Sequence, residues 1–426
     1  MTIKQASFRK VWHRSLRLGL SKLPRNVRFE LYRRMIDCDP APDARLQLKV
    51  ANTRDELEAC FRILHDAYVS SGFMKPSPSG MRVTSYHALP TTTTLCAKYD
   101  GRVVGTISMI REGVFGFPMQ AAFDLSPVRA EEGQIAEISA LAVHPDFRKT
   151  GGSILFPLMK FMYEYCTQYF DTRHLVIAVN PDRIEMYESL LFFLRLQENT
   201  VDHYDFANGA PAVGATLDLY RARDVFRRTY GGRKPRKNLY RYFVELKLPH
   251  IQLPRRRYHL TNDPVLTPDM LDYFFNQRSA VFEELDDRKR ALLWSIYDQP
   301  EFRHVLPMLK EEHVSFAAMR RHQRFSMRCP AEFRALDGGA PDPLVITVIQ
   351  LSQGGLQAHS KLPLPVGAKG RVAVELGADE HSELEVEILR KINGEGSYYG
   401  VRVTRTDDAW RRCVAALETR HVGEEL

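Results

Sequence analysis

The chain has 426 residues, with 60 Lys plus Arg against 52 Asp plus Glu for a net charge of +8, and 44% of it is apolar. At about 100–200 residues per domain that length holds two or three cores, and the composition excludes disordered, collagenous and low-complexity classes. The charge is uneven: residues 1–45 carry +7 and residues 221–257 carry +11, so the remainder sums to −10 and two local segments stand ready for anionic partners.

No apolar run approaches the ~18 residues of a membrane-spanning helix, and the basic N-terminus lacks the uninterrupted apolar stretch of a signal peptide. Cys38, Cys60, Cys96, Cys166, Cys329 and Cys413 are scattered with no Cys-x-x-Cys pair. That pattern fits free thiols in a reducing cytosol better than a disulfide framework or a zinc site.

Residues 6–23 place Phe8, Val11, Trp12, Leu16, Leu20 and Leu23 at three- and four-residue steps, with Arg9, Lys10, His13, Arg14 and Arg17 on other faces. This predicts a basic amphipathic helix. Its readings are packing on its own domain, peripheral contact with an anionic membrane, or docking to an acidic carrier protein. Pro24 ends it, Asn26 offers a cap for a second helix to Met35, and Asp39–Asp43 reads as a linker.

Strands and helices then alternate. Residues 46–51, 95–98, 103–109, 135–143, 175–179 and 213–219 read as strands, with Asp100-Gly101 as a hairpin turn. Residues 55–69, 152–169 and 183–193 read as helices. Residues 221–257 are basic and broken by Gly231-Gly232, Pro235, Pro249 and Pro254, and 267–298 look helical. From Phe325 six short strand candidates follow, at 325–336, 344–351, 354–359, 370–376, 384–392 and 397–403, before a closing helix over 407–419. That run predicts a small antiparallel barrel.

The first chemical feature is the run Glu137-Ile-Ser-Ala-Leu-Ala-Val-His-Pro-Asp-Phe-Arg-Lys-Thr-Gly-Gly-Ser153. A strand ends at Val143, and Arg148, Lys149, Thr150, Gly151, Gly152 and Ser153 then open a helix. Such a turn aims backbone N–H groups at a phosphate, with glycines allowing close approach. These residues resemble the Gcn5-related N-acetyltransferase fold, whose turn reads Arg/Gln-x-x-Gly-x-Gly/Ala; Ser153 departs from it. The resemblance implies that the strand before the turn splays from its neighbour. The Leu141 backbone N–H would then polarise a thioester carbonyl and Val143 would hold a pantetheine arm.

A longer series is more specific: Tyr68-Val-Ser-Ser-Gly-Phe73, Pro78-Ser-Gly-Met-Arg82, Tyr86-His-Ala-Leu-Pro90, Gly105-Thr-Ile-Ser108, Ala136-Glu-Ile-Ser139, Val179-Asn-Pro181, Tyr187 and Asn208-Gly-Ala-Pro-Ala-Val213. Over about residues 46–260 it resembles the long-chain N-acyl amino acid synthases, relatives of the acyl-homoserine-lactone synthases. The resemblance implies acyl transfer from acyl carrier protein to an amino acid amine. Glu137 would serve as base and Tyr187 as the acid that protonates the leaving thiolate. The lactone synthases follow with Ser-Arg, whereas Ala140 follows Ser139 here. His144 reads as a turn histidine, and no motif suggests a metal. An acidic carrier protein gives the basic segment 221–257 a partner; no base-reading motif accompanies the charge, so nucleic acid is not expected.

The second feature is Arg320-Arg-His-Gln-Arg324 followed by Leu351-Ser-Gln-Gly-Gly355. Arginines four apart can grip phosphates and stack on purines. Over about residues 316–420 this resembles the PilZ domain, the bacterial receptor for cyclic di-GMP, whose pattern is Arg-x-x-x-Arg then Asp/Asn-x-Ser-x-x-Gly. Arg320, Arg321, Arg324, Gln350, Ser352 and Gly355 are the implied ligand residues, with Gln350 replacing the usual Asp/Asn.

The sequence therefore predicts a helical segment (1–45), an α/β acyltransferase domain (46–220), a basic and helical connector (221–315) and a PilZ-like barrel (316–426). The expected activity is a cytoplasmic N-acyltransferase. Its donor would be the acyl-phosphopantetheine of acyl carrier protein and its acceptor an amino acid or related amine. No tightly bound cofactor is expected, and cyclic di-GMP would be a regulatory ligand. The alternatives are a catalytically inactive, nucleotide-responsive adaptor at the membrane, and a lactone-type synthase using S-adenosylmethionine.

Overall fold

A computed structural model describes residues 23–148, 150–263, 265–297, 299–309, 325–336, 342–392 and 398–418. The amphipathic segment expected over 6–23 lies outside these apart from Leu23, as do Lys149, Arg320, Arg321 and Arg324.

Helix α1 (Arg25–Met35) precedes strand β1 (Leu46–Val50) and helix α2 (Arg54–Ser71). Thr53 caps α2 by accepting from the Glu56 N–H, and Gly72, with φ +77°, closes it. β2 (Thr92–Tyr99) and β3 (Arg102–Arg111) form the predicted hairpin. β4 (Gln134–Val143), α3 (Leu155–Tyr169) and β5 (Thr172–Val179) make a parallel crossover, the connection that parallel neighbours require. Next come α4 (Pro181–Leu191), β6 (Leu194–Arg195), β7 (Val201–Tyr204), β8 (Ala210–Asp218) and α5 (Leu219–Tyr230). The sheet runs β1-β2-β3-β4-β5-β8-β6, with β7 beside β8.

Several elements depart from the sequence expectation. α1 starts at Arg25, directly after Pro24, so Asn26 does not cap it. α3 starts at Leu155, because Gly151 and Gly152 adopt φ +66° and +90° and keep residues 150–154 in turns. Residues 219–230, read as a strand end and the start of the basic segment 221–257 with no helix assigned, form a regular helix: Asp218 accepts from the N–H groups of Tyr220 and Arg221, and Leu219, Ala222, Phe226 and Tyr230 form its buried stripe. The 267–298 stretch is interrupted instead. A helical turn over Pro268–Asp272 widens at Tyr273–Gln277, and α6 (Asp287–Ile296) restarts where Asp286 accepts from the Lys289 N–H. β6 and β7 have no clear sequence signature because both are short and largely solvent-facing.

The core continues past residue 220. Phe226, Tyr230, Leu239, Tyr242, Phe243 and Leu248 pack into the cluster that joins α3 to the sheet, and Ile251 bridges to Leu48 of β1. Leu266, Phe274, Phe275, Phe282, Leu293 and Phe302 cover the α2 face.

β9 (Phe325–Ala335), β10 (Leu344–Ser352), β11 (Gly355–Ser360), β12 (Lys369–Gly377), β13 (Glu380–Ile392) and β14 (Tyr398–Arg405) close into an antiparallel barrel ordered β10-β11-β14-β13-β12-β9. α7 (Asp408–Glu418) buries Trp410, Cys413, Val414 and Leu417 against it, and Tyr258 of the connector joins the same core. All six cysteines are buried free thiols. Among the described residues no helix is long and apolar enough to cross a membrane.

Candidate active site

The site begins with an interruption in β4. Ser139 pairs with Ser108 and Ala142 with Thr106, so Ala140 and Leu141 together oppose Ile107. This is a β-bulge, and Ala140 takes a left-handed φ of +56° to make it. On its other edge β4 pairs with β5 only from Gln134 to Glu137, while β5 continues to Val179. The two strands therefore fork after Glu137, leaving the β4 backbone around Leu141 unladdered on that side, the geometry the sequence resemblance implied.

A cavity of about 320 Å³ runs through the fork. On the α2 side it is lined by Tyr68 and Phe73, and at the fork by Ser139 to Leu141. On the other side Met159 of α3, Tyr187 of α4, and Ala222 and Phe226 of α5 enclose it, with Phe243 behind. The wall is predominantly hydrocarbon, and exposed Arg183 and Arg223 stand at its rim. A fold that leaves so much apolar wall around unfilled space forgoes packing energy, unless an apolar ligand fills it.

Tyr187 and Leu141 thus share one cavity. Burial raises the Tyr187 phenol above its ordinary pKa, so it holds its proton. Its ring packs edge-on against Phe193 at 5.9 Å. Val143, at the end of β4, accepts from Arg148 Nε at 2.8 Å, which folds that guanidinium back onto the loop. Thr150 Oγ1 donates to Phe147 O at 2.7 Å and meets Ser153 Oγ at 2.6 Å, pinning the turn around the two glycines. His144 accepts from Arg102 Nη2 at 2.8 Å, the behaviour of a turn histidine.

Glu137 lies apart from the acyl-side wall. Three residues ahead of the bulge, the pleat keeps it out of the cavity lining, facing the Met119 N–H and lying between Ile110 of β3 and Val176 of β5. Only 2% of it is exposed, and one oxygen accepts from the Met119 N–H at 3.0 Å. Burial pushes its carboxyl up to about 8. Its field adds to burial in raising the phenols of Tyr86, to about 12, and of Tyr204. Burial lowers His87 nearby to about 3, with Arg82 contributing.

The basic segment is more neutralised than its composition suggests. Arg233 pairs with Glu30 at 2.8 Å, Arg236 with Asp37 at 2.7 Å and Arg257 with Glu380 at 2.5 Å. Arg228, Lys234, Arg241 and Lys247 are exposed and have no ion-pair partner among the described residues. Glu131, His174 and Asp218 bring three donor atoms within 4.8 Å of one another. Arg173 and Arg221 already pair with those carboxylates, at 3.1 Å to Asp218 and 3.4 Å to Glu131.

In the barrel, Ser352 and Gly355 pair across the β10–β11 turn, and Ser352 Oγ donates to Gly355 O at 3.1 Å. A Cβ on Gly355 would lie 2.9 Å from Val401 O, so the position needs glycine for β14 to approach. Gln350 sits at a register shift opposite Ser326, and Leu351 pairs with Phe325. The start of β9 therefore lies beside the Ser352–Gly355 turn.

Residues 59–218 match the family described as N-acyl amino acid synthase FeeM, and residues 319–418 match the PilZ domain. Among solved structures, FeeM, an N-acyl amino acid synthase from uncultured soil microbes, is 24% identical with a TM-score of 0.37, covering 42% of this chain and 94% of that one. BjaI, a CoA-dependent acyl-homoserine lactone synthase, is 20% identical with a TM-score of 0.36, covering 49% and 92%. The synthase LasI is 16% identical with a TM-score of 0.32, covering 41% and 89%. No curated protein matches. The chain thus carries an N-acyl amino acid synthase domain of the FeeM type and a C-terminal PilZ domain.

Proposed function

We propose that the protein transfers a long-chain fatty acyl group from acyl carrier protein to the amino group of an amino acid or related amine, under control of cyclic di-GMP bound to the barrel. The observation that carries this is the apolar cavity passing through the β4–β5 fork, with the Leu141 backbone and the half-buried Tyr187 phenol in its wall; the buried Glu137 carboxyl lies just outside that lining, on the same strand. In this reading the acyl chain fills the side walled by α3, α4 and α5. The thioester carbonyl rests at the bulge, where the Leu141 N–H stabilises its developing negative charge. Glu137 takes a proton from the acceptor ammonium, for which an acceptor of pKa near 8 is well matched at neutral to mildly alkaline pH. The amine nitrogen then attacks, a C–N bond forms and the C–S bond breaks. Tyr187 supplies the proton that converts the departing thiolate to thiol, and the second proton that the nitrogen sheds as the amide forms restores the phenol. Val143 and the turn from Arg148 to Ser153, including Lys149, Thr150, Gly151 and Gly152, hold the phosphopantetheine.

The four unpaired cations on and after α5 support an acidic protein as donor carrier, since such rims steer encounter. Control by nucleotide is supported by the connector. Leu260 bridges to Met327, the Arg328 N–H donates to His259 O at 3.0 Å and the His259 N–H to Leu376 O at 2.8 Å. A few residues on, Arg111 Nε donates to Thr261 O at 2.8 Å, and Asp263 joins a buried network with Arg111, Arg256, Thr93 and Tyr165. A shift at the start of β9 would reach the sheet through this strap.

The test is mass spectrometry of lipid products after incubation with acyl-acyl carrier protein or acyl-CoA and pooled amino acids, with and without cyclic di-GMP. An N-acyl amino acid formed faster from the carrier protein, at a rate that the nucleotide alters and Arg324→Ala does not follow, is the expected result. No product from folded protein under any condition would overturn the proposal. Reciprocity requires that saturating acyl-acyl carrier protein change the nucleotide's affinity by the same factor by which the nucleotide changes the carrier's.

A further inference from the structure

Lys160 lies within α3 and is only 1% exposed. Lysine is almost never buried so completely unless its ammonium is paired. Nζ pairs with Glu164, one turn on, at 2.7 Å, stands 6.0 Å from the Tyr242 ring centroid, and donates to Phe243 O at 3.3 Å. The last contact is the informative one. A methionine would fill the same space without desolvating a charge, whereas only a donor can hold a carbonyl.

That carbonyl belongs to a widened helical turn, Arg241–Glu245, closed by the Leu246 N–H donating to Arg241 O at 2.8 Å. Turns of this width are rare and occur frequently at functional sites. Asn238 starts it, its Oδ1 accepting from the Arg241 N–H at 2.8 Å. Downstream the chain is tied to β1, where the Leu48 N–H donates to His250 O at 2.9 Å and the Gln252 N–H to Leu48 O at 2.7 Å. The turn is thus held at both ends, and Lys160 holds its middle. Phe243 and Val244, adjacent in that middle, both line the cavity at the fork. Phe243 meets Phe226 of α5 and Tyr163 of α3 edge-on, each at 6.2 Å. The turn lies outside both matched regions, 59–218 and 319–418, so part of the cavity wall is supplied by the connector.

We propose that the connector turn Arg241–Glu245 sets the acyl-chain length that the protein accepts, with Phe243 and Val244 as the specificity-determining side chains and Lys160 as the residue that positions them. This rests on the acyltransferase reading and deepens it, because the wall that meets the chain lies outside the acyltransferase fold. A ring packed between neighbouring rings and tethered by its own carbonyl is a fixed stop, whereas a ring on an untethered turn yields to a longer chain. Each methylene that finds apolar space gains about fourfold in affinity, and one that meets the stop gains nothing.

The experiment has a binding arm and a transfer arm. Calorimetry on the full-length protein measures saturated S-alkyl pantetheines of graded chain length, thioether probes that cannot transfer their chain. Wild-type affinity should rise about fourfold per methylene to a limit and then level off. Val244→Phe should bring that limit in by about two or three methylenes, a loss of about 10- to 100-fold for the chain that just reaches it, with short chains unaffected. Phe243→Ala should move the limit outward by a similar amount. Val244 is half-buried, so its variant tests the wall apart from the core cost of Phe243→Ala. Lys160→Met keeps an apolar stem and removes the donor. It should blunt the limit, so that chains beyond it bind severalfold tighter than to wild type while short chains are unaffected, which a merely structural lysine would not do. Thermal melts establish that the variants fold. Wild-type affinity that ignores chain length, or wall variants that keep the wild-type limit, overturn the proposal; a wild-type limit in folded Lys160→Met overturns its positioning role. In the transfer arm, products from acyl-acyl carrier protein and pooled amino acids are weighed by mass spectrometry. Product formed while the wall variants keep the wild-type limit refutes the turn's role and leaves acyl transfer standing. Shifted limits with no product from any donor reject the acyltransferase reading alone.

Discussion

If the acyl chain occupies the cavity behind the fork, as proposed, one side chain there should change the preferred chain length. Its volume is about 320 Å³. At ~24 cal/mol per Å³ for an unfilled apolar cavity, filling it recovers roughly 8 kcal/mol, equivalent to about ten methylenes at ~0.8 kcal/mol each. Each added methylene should therefore raise kcat/KM about fourfold until the cavity is full, and little after that. Ala222 is buried on α5 and faces the cavity beside Phe226 and Phe243. Ala222→Phe places a phenyl group in that space and should shorten the preferred chain by roughly three or four methylenes, about a hundredfold loss for a donor that just fills the wild type. Phe226→Leu should lengthen the preference by about one methylene. The assay is initial rate at subsaturating donor across a series of saturated acyl chains on acyl carrier protein, with thermal melts alongside. If both variants fold and keep the wild-type length optimum, the acyl chain does not occupy this cavity.

Outcomes at three further residues, Glu137, Gly152 and Asp263, follow from the same geometry. For Glu137, kcat/KM should climb about tenfold per pH unit up to about 8 and then level off, and Glu137→Gln should flatten that limb and cost about 10²–10⁴ in rate. Because its folded pKa lies above the unfolded value, the stability it contributes is fully present below the unfolded pKa and is lost as pH rises through about 8; Tm for Glu137→Gln should gain on wild type across that window, and a constant difference would show that the raised pKa is wrong. Gly152 has φ +90°, and a Cβ there would sit 2.6 Å from the Phe156 ring, so Gly152→Ala should cost about 1–3 kcal/mol by denaturant titration and raise KM for the donor. Asp263 meets Arg111 at 3.5 Å and Tyr165 at 2.9 Å and also contacts Arg256. Asp263→Asn leaves two buried guanidinium groups without their carboxylate and should lower unfolding free energy by about 3–5 kcal/mol, whereas a change below ~1 kcal/mol would show that the strap is not held by this network.

Much of this protein is legible locally. Hairpins, the β4–α3–β5 crossover and the six barrel strands announce themselves because side-chain alternation and turn residues are properties of neighbouring positions. The two glycines of the phosphate turn are equally local, since a left-handed φ is a demand of one residue on itself. Ala140 shows the limit of that rule: nothing in its identity marks a left-handed residue, and only pairing with Ile107 on β3 and departure from β5 create the bulge.

What the amino-acid sequence determined by itself is the order of two domains and the residue types available to each. The tertiary structure decided how those residues are used. The +11 segment looked like a docking surface, but the helix at its start turns an apolar stripe to the cavity, and beyond that helix Arg233, Arg236 and Arg257 are neutralised by Glu30, Asp37 and Glu380 from distant parts of the chain. Net charge is additive along a sequence, whereas ion pairing depends on distance in space. Arg82 is the opposite case. In the sequence it is one arginine of a motif, and only the folded chain reveals a buried cation held against the rings of Tyr68 and Phe206 with no carboxylate beside it among the described residues.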